Sequence, residues 1–380
     1  MNRADFIKAN RIVIKLGTNV LRNDDGEASM PRLYSYIEDI SKLVKGGKEI
    51  ILVTSGAVGL GRKKIGIEKS DDTILKQACA AIGQSKLMSI YEEGFESYGV
   101  GVAQVLLIED DFSQRKRYLS LRNTLNKLLE LGMVPVINQN DTVGTSELEA
   151  EYKDAQVCFS DNDKLSALVA SELDADLLII LSDVDGLYNK NPKTNVDAKI
   201  IKEVKEINDD IINLAKGVSD GGRGGMRTKL EAANQVTRFG GKVLIANGKI
   251  PNIIKNIFDG MDYGTMFLPT DECLSGKKRW IGYATNVIGK IVVNNGAENA
   301  ITKKESSLLP IGVVDVKNEF KKGEVVSILN ENGEEIARGI TNYSSDACRK
   351  IKGCYSDKIF DILGYKTYDE IIIRDNITTL

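Results

Sequence analysis

Six short runs of Val, Ile and Leu, separated by helix-length amphipathic stretches, constrain this chain more than any single residue does. The runs are Arg11–Leu16, Glu49–Thr54, Val102–Leu107, Met133–Ile137, Leu177–Ser182 and Lys242–Ala246. Between them lie Pro31–Lys45, Asp71–Phe95, Ser113–Leu131, Lys164–Leu173 and Met226–Phe239, whose apolar residues recur at helical spacing. Strands buried on both faces read as near-continuous apolar runs, and a helix between successive strands supplies the crossover that parallel pairing needs. The expectation is an α/β fold over residues 1–268, an open and mainly parallel sheet sandwiched by helices.

The pattern changes after Pro269. Residues 269–276 (PTDECLSG) read as a polar linker, and residues 277–354 as a small, mostly β domain, largely antiparallel. Its predicted strands are Lys290–Asn294, Ile311–Val316, Glu324–Leu329 and Glu335–Thr341, the last pair joined by the turn sequence Asn-Glu-Asn-Gly. The tail, 355–380, holds a predicted short helix (Asp357–Leu363) and the run Ile371–Ile373, and packs on the domains.

Composition matters here chiefly for what it forbids. The chain has no histidine, which excludes Ser-His-Asp and Cys-His catalysis, imidazole acid–base work and His-ligated metals. Its five cysteines include no C-x-x-C pair, so neither a disulfide framework nor a cysteine zinc site is expected, and a reducing, cytoplasmic setting is. No run approaches the length of a membrane span or a signal sequence. Net charge is −3, too small a bias to imply nucleic acid by itself.

Ligands of open α/β sheets bind beyond the carboxyl ends of the strands, and four of those junctions are unusual. Lys15-Leu16-Gly17-Thr18-Asn19 places a lysine inside an apolar run, where it needs an anion or a path to water. Thr54–Gly61 runs from a strand into a glycine-rich turn ending at Arg62, a place for an anion or simply a turn. Asn138–Thr142, followed by Ser160–Lys164, gathers amides and carboxylates able to hold an amino group, a carboxylate or a phosphate-bound metal, or to cap a helix. The run Asp161–Asp163 lacks the spacing of a calcium loop. Asp220–Lys229 sets four glycines among two arginines and a lysine where a helix begins, a cradle for polyphosphate or a solvated linker. Two lysines, glycine-rich turns and acidic groups at one sheet edge, without histidine, point to phosphoryl transfer. A carboxylate acceptor is already ionised at neutral pH and requires no general base.

The segments VIKLGTNVL (13–21), VTSGAVGLG (53–61), INQNDTV (137–143), SDNDKLSALVA (160–170), SDVDGLY (182–188) and GGMRTKLEAA (224–233) resemble the glutamate 5-kinase family of the amino-acid kinase superfamily. Segments between 279 and 343, among them SSLLPIGV and IARGITNY, resemble the PUA domain that many bacterial members carry. The resemblance implies ATP-dependent phosphorylation of the side-chain carboxylate of L-glutamate, the first step of proline synthesis. It also implies roles. Lys15 and Lys229 contact the phosphates and Asp163 holds both lysines; these three are the expected catalytic group. Ser55, Asp141 and Asn162 bind glutamate. Lys15, Ser182, Asp183, Arg223, Gly224, Gly225, Met226, Arg227, Thr228 and Lys229 line the ATP site. Mg2+ arrives on ATP oxygens without a protein cage. Proline as feedback inhibitor and a homo-oligomer, dimer or tetramer, are further implications. Arg223 and Ser182 stand where the family often has threonine, and the acidic segment 142–160 is longer than the family pattern. The competing readings are an amino-acid kinase with another acceptor, such as N-acetylglutamate, and an RNA-binding PUA protein on a degenerate kinase scaffold. The near-neutral charge of 277–380 and the single tryptophan, Trp280, weaken the RNA reading.

Overall fold

The computed structural model describes residues 5–23, 29–68, 70, 72–144, 162–192, 194–215, 225–270, 276–284 and 287–380. It divides into two compact units, the second consisting chiefly of Leu274–Leu380. In the first unit eight strands form one sheet: β1 (Arg11–Leu16), β2 (Glu49–Val53), β3 (Val102–Leu107), β4 (Val134–Gln139), β5 (Leu177–Ser182), β6 (Glu203–Val204), β7 (Lys242–Asn247) and β8 (Thr265–Phe267). Their order is β3-β4-β2-β1-β5-β7-β8-β6. Every pairing is parallel except β7 with β8.

β1 sits at the centre, with Ile14 opposite Leu52 of β2 and Ile179 of β5. Side chains alternate across a strand, and the alternation decides where the chemistry goes. Ile12, Ile14 and Leu16 join a core containing Tyr36, Ile37, Tyr91 and Phe95. Burying each of these large apolar groups contributes roughly 1.5–3 kcal/mol. Val13 and Lys15 therefore emerge on the opposite face, where helix Asn162–Glu172 packs against β1.

The glycine-rich stretch after β2 is not the plain turn its composition suggests. Gly56 adopts φ 107°, a left-handed conformation, and helix Ala57–Ile65 begins at once. Two of the glycines act by their size. A Cβ on Gly61 would sit 1.8 Å from the carbonyl oxygen of Cys79, and one on Gly83 1.8 Å from that of Ala57. Helices Ala57–Ile65 and Thr73–Glu96 thus approach backbone to backbone. The longer helix starts where the side chain of Asp72 accepts a hydrogen bond from the amide of Leu75.

The second unit holds a five-stranded sheet: β9 (Gly289–Val293), β10 (Val313–Lys317), β11 (Val325–Leu329), β12 (Glu335–Ile340) and β13 (Ile377–Thr379). Its order is β10-β9-β11-β12-β13, parallel only between β9 and β11. The predicted strand Ile311–Val316 begins late because Pro310 opens a single 3-10 turn, Pro310–Gly312, where its fixed φ and missing N–H suit the first position. The C-terminal residues belong to this unit, since β13 pairs with β12 and Leu308 bridges Ile372. Its core is apolar, built on Ile291, Val326, Ile328, Ile351 and Ile372. Burial pushes the Cys348 thiol up to about 12. Among the described residues, no helix of the chain is long and apolar enough to cross a membrane.

Candidate active site

Lys15, carried to the far face of β1, meets a carboxylate at the start of helix Asn162–Glu172. Its Nζ lies 2.6 Å from Oδ1 of Asp163. The other carboxylate oxygen, Oδ2, accepts from Lys229 Nζ at 2.9 Å and from Thr228 Oγ1 at 3.1 Å, both on helix Met226–Thr237. The three charged residues are almost wholly enclosed: Lys15 is 4% exposed, Asp163 0% and Lys229 5%. Burial alone would push the Asp163 carboxyl up, but the two ammonium groups and their hydrogen bonds outweigh it and hold the carboxyl well below the usual range. An arrangement with two cations on one anion carries an excess positive charge. Burying it is costly, and the excess suits an incoming polyanion.

Gly17 closes this corner. Its amide donates to the Leu181 carbonyl at 3.1 Å, and a Cβ there would lie 3.2 Å from that oxygen and 3.7 Å from the Lys15 ammonium nitrogen. At the neighbouring end of β5, Asp183 accepts from Asn19 Nδ2 at 3.0 Å and from Ser182 Oγ at 3.2 Å. Burial raises its carboxyl, yet these hydrogen bonds and the more distant charge of Lys229 bring it below the ordinary value. Gly225 is the extended residue before helix Met226–Thr237, so the first amides of that helix open beside Lys229.

The amide of Asn162 faces the other way. Its Nδ2 donates to the Thr54 carbonyl at 2.6 Å, to Ser55 Oγ at 2.8 Å and to Asn138 Oδ1 at 3.1 Å. Ser55, Asn162 and Asp141 line one cavity of about 230 Å3, together with Arg22, Asn138 and Arg62. The cavity opens at the carboxyl ends of β2 and β4, next to the Lys15 strand.

The structure therefore brings Lys15, Asp163, Thr228 and Lys229 into one cluster, Ser55, Asp141 and Asn162 into one cavity, and Ser182 and Asp183 to one strand end. Arg227 is not part of these groups: its Nε pairs with Glu231 at 2.9 Å on an exposed helix face. Met226 is the first residue of its helix. Arg223, Gly224 and most of the acidic segment 142–160 lie outside the described residues. Among the described residues, no three acidic or sulfur side chains converge as a metal cage.

Two contributors, Asn138 and Gln84, were not among the expected site residues. Asn138 receives the Asn162 amide and donates its own Nδ2 to Gln84 Oε1 at 2.9 Å. Gln84 could have been found by periodicity, because it shares a helical stripe with the buried Ala80, Leu87 and Tyr91. A polar residue in such a stripe needs a partner.

Residues 10–247 match the amino acid kinase family, and residues 289–363 match the PUA domain. A glutamate 5-kinase of Caldanaerobacter subterraneus subsp. tengcongensis is 45% identical over 97% of this chain and 98% of its own. One from Moorella thermoacetica is 44% identical over 100% of this chain and 98% of its own. Among solved structures, carbamate kinase from Giardia lamblia bound to AMP-PNP aligns with a TM-score of 0.50 at 17% identity, covering 69% of this chain and 99% of that one.

Proposed function

We propose a division of labour among these side chains, for a chain that belongs to the amino acid kinase family and within it to the glutamate 5-kinases. The chain uses ATP to phosphorylate the side-chain carboxylate of L-glutamate, giving L-glutamyl 5-phosphate, the first step of proline biosynthesis. The observation that carries the assignment of roles is the buried Lys15–Asp163–Lys229 bridge.

Transfer of a phosphoryl group to a carboxylate joins two anions, so the barrier is largely one of charge and alignment. A glutamate carboxylate oxygen attacks the terminal phosphorus, the bond from that phosphorus to the bridging oxygen breaks, and ADP leaves with the electron pair. No proton has to be removed from the nucleophile at neutral pH. Lys15 and Lys229 approach the transferring group from two different elements and neutralise the charge spread over its oxygens. Asp163 keeps the two ammonium groups apart from one another and aimed, and it stays ionised throughout. Thr228 fixes its second oxygen.

Asn162, Ser55 and Asp141 hold glutamate, with Asp141 suited to the α-ammonium group and the two neutral side chains to the carboxylate that reacts. Ser182, Asp183, Gly225 and Met226 border the nucleotide, as would Arg223 and Gly224. Arg227, already paired with Glu231, contributes least. The site's carboxylates are committed, Asp163 to two lysines and Asp183 to Asn19, which fits Mg2+ held by the phosphate oxygens. Bound there, it adds positive charge at the phosphates. A cytoplasmic location, restraint by proline and a homo-oligomeric state complete the reading, with the kinase activity in residues 1–268 and a regulatory or stabilising part for the PUA unit.

The test is ADP release by purified protein with MgATP and, separately, L-glutamate, N-acetylglutamate, aspartate or uridine monophosphate, with hydroxylamine to trap an acyl phosphate. ADP and hydroxamate from glutamate alone are expected. Turnover with a different acceptor would overturn the acceptor assignment while leaving the phosphate-binding roles standing.

A further inference from the structure

We propose that Arg22 is a specificity-determining residue of the acceptor cavity, its guanidinium receiving the α-carboxylate of the bound amino acid. This rests on glutamate being the acceptor and says how the cavity tells glutamate from a monocarboxylate.

Glutamate brings two carboxylates and one ammonium group. The side-chain carboxylate has to remain open to the nucleotide, so the α-carboxylate must be met by the cavity itself or be left desolvated without a partner, which is costly. Lys15 and Lys229 are already committed to Asp163. Among the described lining residues the remaining cations are Arg22 and Arg62. Arg62 is partly engaged, its Nη2 donating to the Ser70 carbonyl at 3.0 Å. Arg22 makes no side-chain hydrogen bond or ion pair to any described residue, while its backbone is tied down: Arg32 Nη1 donates to the carbonyls of Val20 at 2.7 Å and of Arg22 at 3.0 Å. The segment is anchored and its charged end is left available.

Gly59 provides the room. A Cβ on Gly59 would lie 2.3 Å from Arg22 Nη2 and 3.3 Å from its Cζ. The guanidinium therefore lies directly against the glycine in the cavity wall, and any larger residue would push it away. Opposite charges are distributed as the ligand requires, with Asp141 for the ammonium group and Arg22 for the carboxylate. A guanidinium presents paired donors that match a carboxylate's two oxygens.

Steady-state kinetics on the full-length protein test this with Arg22→Ala, Arg22→Lys and Gly59→Ala. Losing a charge-assisted contact made equally in ground and transition states raises KM without lowering kcat. Arg22→Ala should raise KM for glutamate by about 10- to 100-fold, with kcat and the KM for ATP changed less than about twofold. Arg22→Lys should recover part of the loss. Gly59→Ala should raise the glutamate KM without lowering Tm, because only the far end of a flexible side chain has to move. Offered 4-aminobutyrate, which lacks the α-carboxylate, the wild type and Arg22→Ala should perform alike. A glutamate KM unchanged in Arg22→Ala, or a parallel loss in kcat and both KM values that Lys fails to rescue, overturns the proposal. Wild-type protein with no glutamate-dependent turnover would instead bring down the acceptor reading on which it stands.

Discussion

Among the described residues, both units bury neutral polar side chains, but only the first also encloses charged ones. In the first, the enclosed polar residues include Lys15, Asp39, Asp163, Glu172 and Lys229, all ionisable; in the second, the described ones are Ser327, Asn330, Thr341, Asn342, Ser345 and Thr378, all neutral. Taking a charge out of water costs several kcal/mol even after pairing, whereas a hydrogen-bonded hydroxyl or amide costs little. A sheet that keeps three charges together at one strand end is organised around an ionic ligand. A sheet whose enclosed groups are neutral is organised around its own packing, and what it recognises must be met at its surface.

The sharpest way to break that contrast is at Asp163. Replacing it with Asn leaves two ammonium groups enclosed without an anion, and removing one partner of a buried pair typically costs about 3–5 kcal/mol. We expect unfolding in urea to show a loss of that order and kcat to fall by about 10²- to 10³-fold or more. The pH dependence has a definite sign. The carboxyl is held below its unfolded value, so its stabilising contribution is complete above roughly pH 4 and is lost as pH falls toward the folded value. The stability gap between wild type and Asp163→Asn should therefore be level from neutrality to about pH 5 and narrow below pH 4. A gap that widens in acid would reverse the assignment of charge.

The complementary substitution lies in the second core. Ile328 is fully buried in β11, and Ile328→Ala should cost about 2–5 kcal/mol through lost burial and the cavity left behind. Under native conditions the effect should fall on the second unit, with kcat for glutamate within about twofold of wild type. Turnover that collapses while the first unit stays folded would give the PUA unit a direct part in catalysis.

Most of the architecture is legible before the coordinates, because period and run length survive in local sequence. The runs Arg11–Leu16, Val102–Leu107 and Leu177–Ser182 coincide with β1, β3 and β5. What is lost is what depends on distant partners. Gly61 reads as the end of a glycine-rich turn and Gly83 as one residue of a helical stretch, yet both serve a helix crossing that only the folded chain reveals. Lys15 is conspicuous in sequence as a charge in an apolar run, but its partner Asp163 lies far along the chain and could be paired with it only through a resemblance. Arg22 gave no local signal of a site, because it stands beyond the unusual junction Lys15–Asn19; Gln84 shows only as a polar residue in an apolar helical stripe, a position that asks for a partner without naming one.

A smaller effect separates positioning from charge at the same carboxylate. Thr228 Oγ1 adds a third contact to Asp163 without altering the count of charges. Thr228→Val keeps the side-chain shape and should cost about 1 kcal/mol, visible as a several-fold drop in kcat with little change in the urea midpoint. If this variant proved as damaging as Asp163→Asn, orientation rather than ionic balance would dominate the cluster.

The finest test falls on a neutral group of the second unit. Ser327 sits in the middle of β11, enclosed, and its hydroxyl finds no hydrogen-bond partner among the described residues. An unpaired buried hydroxyl costs stability, and replacing it by an apolar group of similar size removes that cost. Ser327→Ala should therefore leave the protein as stable as before or more stable by up to about 1 kcal/mol, whereas Asp163→Asn in the first unit's cluster weakens it. Equilibrium unfolding decides it. A loss above about 1.5 kcal/mol would mean that the hydroxyl is satisfied and that the second unit, like the first, has a polar interaction at its centre that its packing depends on.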